Sequence, residues 1–130
     1  MREILFRGKF SEKSRWSYGD LYTDHGKVYI ATRDTMHGVR VHEEVIPDTV
    51  GQFTGLMDNH GRKIFEGDIV VLTLPAAKMH WRAVCKFHSG AFGLVWHHMG
   101  ERWQAFTGIC NAEYEIIGNV HDSPELMEDE

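Results

Sequence analysis

Around Ser89-Gly90 the apolar and polar residues alternate in a way that admits one pairing. Arg82–His88 and Ala91–His97 flank that dipeptide. Closing a two-residue turn there places Ala83, Cys85, Phe87, Phe92, Leu94 and Trp96 on one face. The other face receives Arg82, Val84, Lys86, His88, Ala91, Gly93, Val95 and His97. Successive side chains of a strand point to opposite faces, so a slip of one residue would mix the two sets. The pattern therefore sets the register and makes the first face core, with Cys85 as a small buried hydrophobe.

The same punctuation recurs along the chain: short alternating runs bounded by Gly, Asp, Asn and Ser, with almost no 3.6-residue periodicity. A first strand is predicted over Ile4–Phe10, followed by a loop over Ser11–Arg15. Tyr18–Asp24 and Lys27–Thr32 form a hairpin about His25-Gly26. A two-residue turn there sets Tyr22 opposite Tyr29, Leu21 opposite Ile30 and Asp24 opposite Lys27, a consistent cross-strand set. Thr35–Gly38 reads as a loop and Val39–Val45 as a strand. The fold class predicted is all-β, or β-rich with minor helix: an N-terminal strand and hairpin region followed by a C-terminal small barrel.

A chain of 130 residues has room for one domain, here residues 1–122, with 1–60 and 61–122 as candidate sub-modules. Fifteen aromatics supply a core without staples. No apolar run approaches the roughly 20 residues of a membrane helix. The start, Met1 to Arg7, lacks the apolar stretch of about 7–15 residues found in a signal peptide. A soluble cytoplasmic protein is expected, with Cys85 and Cys110 as thiols rather than a disulfide. The net charge of −5 resides in the segment His121 to Glu130, which holds five acids and no Lys or Arg. Residues 123–130 therefore read as an acidic, mobile tail. The remaining balance of charge gives no strong attraction to nucleic acid.

The densest punctuation runs from Val45 to Val70. Pro47-Asp48, Asp58-Asn59-His60-Gly61 and Gly67-Asp68 are turns, the last launching a strand over Ile69–Thr73. This segment closely resembles the signature of the YopX family, small proteins encoded by bacteriophages and prophages. The opening Arg2-Glu3-Ile4-Leu5-Phe6-Arg7-Gly8-Lys9, with Trp16 and Gly19, resembles that family's start. The segment from Tyr114 through Gly118-Asn119 to Leu126 is similar to its close, whereas residues 74–112 match poorly. The resemblance implies a phage or prophage origin, a bacterial host cytoplasm and a β-rich fold that forms homo-oligomers. It supplies no catalytic residues. By analogy of pattern, Ile64–Val120 also looks like an SH3-like barrel, which says nothing of function.

Catalytic and metal constellations are not found in the sequence, and no cofactor is expected. His80, His88, His97 and His98 form the best histidine cluster, but His97 and His98 point to opposite faces of a strand. Asp58, Asn59 and Asp68 lack calcium-loop spacing and read as turn residues. Cys85 lies on the core face, where a thiol is inert. Glu43 and Glu44 face apart. There is no nucleophile elbow and no phosphate-cradling glycine loop. Two functions remain. One is an accessory protein acting by protein–protein contacts, as a homo-oligomer or with a host or phage protein. The other is a nucleic-acid-binding module whose groove would use Arg62, Lys63, Trp81, Arg82, Lys86, Arg102 and Trp103.

Overall fold

The computed structural model describes residues 1–11, 15–36 and 38–128, with the backbone alone for 34–36. It is built of antiparallel strands and short 3-10 turns, as the alternation predicts. The chain divides into two compact units, Met1–Gly55 and Leu56–Glu130.

The first unit carries β1 (Phe6–Lys9), β2 (Trp16–Asp24), β3 (Lys27–Met36), β4 (Val39–Glu44) and β5 (Gly51–Met57), in the sheet order β4-β3-β2-β1-β5. β5 runs across the boundary between the units, and β6 (Lys63–Phe65) follows it in the hydrogen-bonded order. The β2–β3 register is the one predicted: Tyr22 pairs with Tyr29, Leu21 with Ile30 and Asp24 with Lys27. The two tyrosine rings stack at 5.2 Å. Leu5, Ile30, Ala31, Val45 and Phe53 are buried. Gly19 marks the tightest approach, because a Cβ there would lie 2.0 Å from the carbonyl oxygen of Ala31.

Thr35–Gly38 is not the loop that the sequence suggests. Thr35 and Met36 belong to β3 and pair with Arg40 and Val39, with Gly38 at φ 79° in the turn and His37 outside the described residues. The register shifts between Ala31 and Thr35, and this irregularity breaks the alternation that a strand reading depends on. The loop expected over Ser11–Arg15 also falls largely outside the described residues, at 12–14.

The second unit holds β7 (Asp68–Leu74), β8 (Met79–His88), β9 (Ala91–His97), β10 (Glu101–Ala105) and β11 (Glu113–Asn119), in the sheet order β10-β9-β8-β7-β11. Phe87 pairs with Phe92, Cys85 with Leu94 and Val84 with Val95, the register set by the Ser89-Gly90 turn. Ile64, Val70, Leu72, Ala83, Cys85 and Leu94 form the buried cluster. Trp81, Trp96, Phe106 and Tyr114 pack against it from the side. Phe87, expected in the core, is 54% exposed. It sits one residue from the end of β8, beyond Val84, where the pairing with β7 stops. Its edge-to-face contact with Phe92, 5.0 Å between centroids, is a surface pair.

Candidate functional site

Sequence and structure converge first on Asp58, whose role is to anchor. Its side chain is fully buried beside Arg62. Oδ1 accepts the backbone N–H groups of His60 and Arg62 at 3.0 and 2.9 Å. Oδ2 accepts Arg62 Nε at 3.0 Å, Arg62 Nη2 at 2.9 Å and the backbone N–H of Ile116 at 3.1 Å. Arg62 in turn donates to the Ile116 carbonyl at 2.8 Å. Burial alone would push this carboxyl up, but the backbone donors and the guanidinium outweigh it and hold the carboxyl at about 2. Asp68 works in the same way on a smaller scale, taking the Phe65 N–H at 2.8 Å. Both aspartates are spent on backbone, which supports the turn reading made from the sequence.

The basic and aromatic residues named above do not assemble as one groove. Arg62 is engaged with Asp58 and Ile116, and Lys63 lies on β6. Trp81 pairs with the core residue Leu72, and Arg102 pairs with Trp96, so both stand on the core side of the second sheet. Trp81 and Trp96 meet there at 6.2 Å. The Arg102 guanidinium is folded onto its own hairpin, donating to the His98 carbonyl at 2.9 Å.

What the register does bring together is Arg82, Lys86 and Trp103. Arg82 pairs with Val71, Lys86 with Gly93 and Trp103 with Val95, and all three lie on the face away from the core cluster. His80 and His88 on β8 and His97 on β9 share that face by the two-residue period. The Trp103 ring lies over Gly93, where a Cβ would meet it at 2.7 Å, and reaches the His88 ring at 5.0 Å. Sequence spacing could not show this convergence, because β10 was not recognised as a strand.

Beside this group is a pocket of about 230 Å³ lined by His80, Trp81, Arg82, His97 and Met127. Met127 comes from the 3-10 turn Pro124–Met127, part of the segment expected to be a tail. Arg82 Nη1 donates to the Leu126 carbonyl at 3.0 Å and ties that turn to β8. Residues 129 and 130 lie outside the described residues. Among the described residues, no three His, Cys, Asp or Glu side chains gather as metal ligands, and no helix is long and apolar enough to cross a membrane. Cys85 is buried, Cys110 is exposed, and neither is in a disulfide.

A six-stranded and a five-stranded sheet, with only short 3-10 turns beside them among the described residues, define a class of strand-built protein. The profile of the family described as YopX protein matches residues 5–128, and the chain belongs to that family. Over 100% of its length it is similar to the crystal structure of protein yopX from Bacillus subtilis. The TM-score is 0.63, identity is 18%, and 99% of that chain is covered. Protein EF1440 from Enterococcus faecalis aligns over 98% of this chain and 100% of its own, at a TM-score of 0.49 and 21% identity. At these identities the Bacillus likeness concerns the fold. Among curated protein sequences, none matches the chain.

Proposed function

We propose that the protein is a phage or prophage accessory factor without catalytic activity, acting in the host cytoplasm through protein contacts and self-associating along β4. The carrying observation is the state of that strand. β4 ends the first sheet, and its Val39 and Val41 are 65% and 48% exposed. The N–H and C=O of Val41 both turn inward to the Thr32 hydroxyl, so in an antiparallel strand those of Arg40 and His42 turn outward. An outward row of this kind is a template for another strand.

The matching occupant is a second copy of β4. Two copies in one sheet keep their faces only if the two-fold axis passes through a residue. An axis at His42 sets Arg40 of each copy opposite the partner's Glu44, an opposite-charge pair at both ends. Size-exclusion chromatography with light scattering at micromolar concentration tests this. A dimer near twice the chain mass supports it, and a 15 kDa monomer at every concentration ends it.

A second reading, nucleic-acid binding, is favoured by one observation, the shared face of Arg82, Lys86 and Trp103. Fluorescence anisotropy with labelled single- and double-stranded oligonucleotides distinguishes the two. Absence of binding at about 50 mM salt removes it, since phosphate contacts are strongest at low salt.

A further inference from the structure

We infer, building on the nucleic-acid reading above, that the C-terminal turn Pro124–Met127 is an acidic strap that competes with the phosphates of a single-stranded nucleic acid for the outward face of the second sheet. Gly118, Ile69, Val84, Val95 and Trp103 lie opposite one another in turn across β11-β7-β8-β9-β10. Residues paired in this way share a face, and Arg82 and Lys86 flank Val84 two residues to either side. The line therefore runs along the outward face, with Gly118 at one end and Trp103 at the other. A Cβ on Gly118 would project from that face and meet Leu126 Cδ1 at 2.9 Å and Ser123 Cβ at 3.3 Å. Arg82 Nη1 donates to the Leu126 carbonyl at 3.0 Å, and Met127 lines a pocket with His80, Arg82 and His97. The turn is thus laid over β11 and β8 on the side that carries Lys86 and Trp103.

Asn119 turns the chain back to reach this position. Its Oδ1 accepts the backbone N–H groups of His121 and Asp122, each at 2.9 Å, and its carbonyl accepts that of Ser123 at 2.9 Å. The turn then separates two kinds of side chain. Leu126 and Met127 are half-buried, whereas Glu125 and Glu128 are exposed, within a segment, 121–130, that holds five acids and no Lys or Arg. Carboxylates tied to Arg82 and set beside Lys86 stand where a polyanion would make its phosphate contacts. Arg82 and Lys86 are four residues apart on one strand, about 13 Å at roughly 3.3 Å per residue. That span is close to the screening length of about 10 Å at 0.1 M salt, so the turn also acts on a strand seated at Lys86 and Trp103. Every residue of the turn stays at least partly exposed, the condition for a cover that lifts when a competitor arrives.

The full chain and three variants of it are compared by fluorescence anisotropy with a labelled single-stranded oligonucleotide at about 50 mM salt, where phosphate contacts are strong. Glu125→Gln with Glu128→Gln removes charge but keeps Leu126 and Met127 in their seats, and should bind about fivefold tighter than the wild type. Leu126→Ser with Met127→Ser keeps the charge and loosens the seats, and should bind about threefold tighter. Asp24→Asn with Asp48→Asn changes the net charge by the same amount within the first unit, and should leave the affinity within about twofold of the wild type. Competition is reciprocal, so the oligonucleotide in turn should release the strap. Amide NMR should show signals of Lys86 and Trp103 shifting on binding, and those of residues 124–127 moving toward unstructured values.

Gains confined to the two turn variants, with release of residues 124–127 at saturation, support the strap. Equal affinity of the wild type and both turn variants, with shifts still at Lys86 and Trp103, would overturn it and leave the nucleic-acid reading standing. The same gain from Asp24→Asn with Asp48→Asn would also overturn it, since net charge alone would then account for the response. Absence of binding in every variant removes the nucleic-acid reading and the strap with it.

Discussion

The Asp58 carboxylate accepts the backbone N–H of Ile116, 58 residues further along the chain, and so pins the turn before β6 to the middle of β11. A buried carboxylate serving several donors is costly to remove, because each donor is left without its partner. Asp58→Ala should destabilise the protein by about 3 kcal/mol, a large share of the stability of a small domain. Urea unfolding monitored by tryptophan fluorescence measures it, and a loss below about 1 kcal/mol would show that the turn holds without its anchor.

The same carboxyl makes stability depend on acid. Its folded value is lowered from 3.8 to about 2, so the folded protein binds this proton less readily than the unfolded chain. The stabilisation it gives is complete above the unfolded value and is lost as the pH falls through the folded one. Wild-type unfolding midpoints should therefore drop between about pH 5 and pH 2. Asp58→Asn, less stable at neutral pH, should lose less over that range. Parallel pH profiles for the two proteins would assign the acid sensitivity elsewhere.

Leu94 and Phe87 sit on the same face of one hairpin yet should answer truncation differently. Leu94 is fully buried within the second unit's cluster, and Leu94→Ala should cost about 2–5 kcal/mol through lost burial and a residual cavity. Phe87 is more than half exposed at the hairpin end, and Phe87→Ala should cost less than about 1 kcal/mol. Chemical denaturation of both variants gives the comparison, and equal losses would mean that the exposed ring is packed in solution.

Gly19 offers a backbone test in the first unit. A methyl there would overlap the Ala31 carbonyl at 2.0 Å, and backbone atoms in a paired strand cannot swing aside. Gly19→Ala should cost about 1–3 kcal/mol by overpacking. Gly26 has open space but φ +77°, so Gly26→Ala should cost about 1–2 kcal/mol from backbone conformation alone. Thermal melts rank the two, and a wild-type melting point for Gly19→Ala would contradict the close approach.

How much of this was legible in the sequence depended on local regularity. The Tyr22–Tyr29 and Cys85–Leu94 registers were readable because two-residue turns at His25-Gly26 and Ser89-Gly90 determine what lies opposite what. Phe87 was misplaced because alternation reports the face of a strand and not where the pairing with the adjacent strand stops. The β3–β4 hairpin was hidden by a register irregularity, and β5 and β10 by interrupting glycines and charges. Trp81 and Arg102 looked like neighbours of Arg82 and Trp103 because sequence proximity ignores faces. The pocket lined by His80, Arg82 and Met127 was invisible, since it needs the Pro124–Met127 turn to return to β8, a contact no local pattern encodes.

Self-association through β4 depends on which side chains face each other across the two-fold axis. With the two-fold axis at His42, the imidazoles of the two copies face each other, flanked by Arg40 and Glu44 of each chain. Tyr22 Oη lies 2.8 Å from His42 Nδ1 within the same copy, which directs the ring along the sheet face. Glu44→Lys would set like charges opposite the partner's Arg40 at both ends, so the dimer should weaken. His42→Gln, which leaves those end pairs in place, should keep the dimer intact. Val41→Glu, which sets a carboxylate opposite the partner's Glu43 without touching the buried residues of the sheet, should give a folded monomer. Sedimentation velocity of these variants decides it. A dimer that persists in Val41→Glu, with unchanged far-ultraviolet circular dichroism, would place the contact on some other surface.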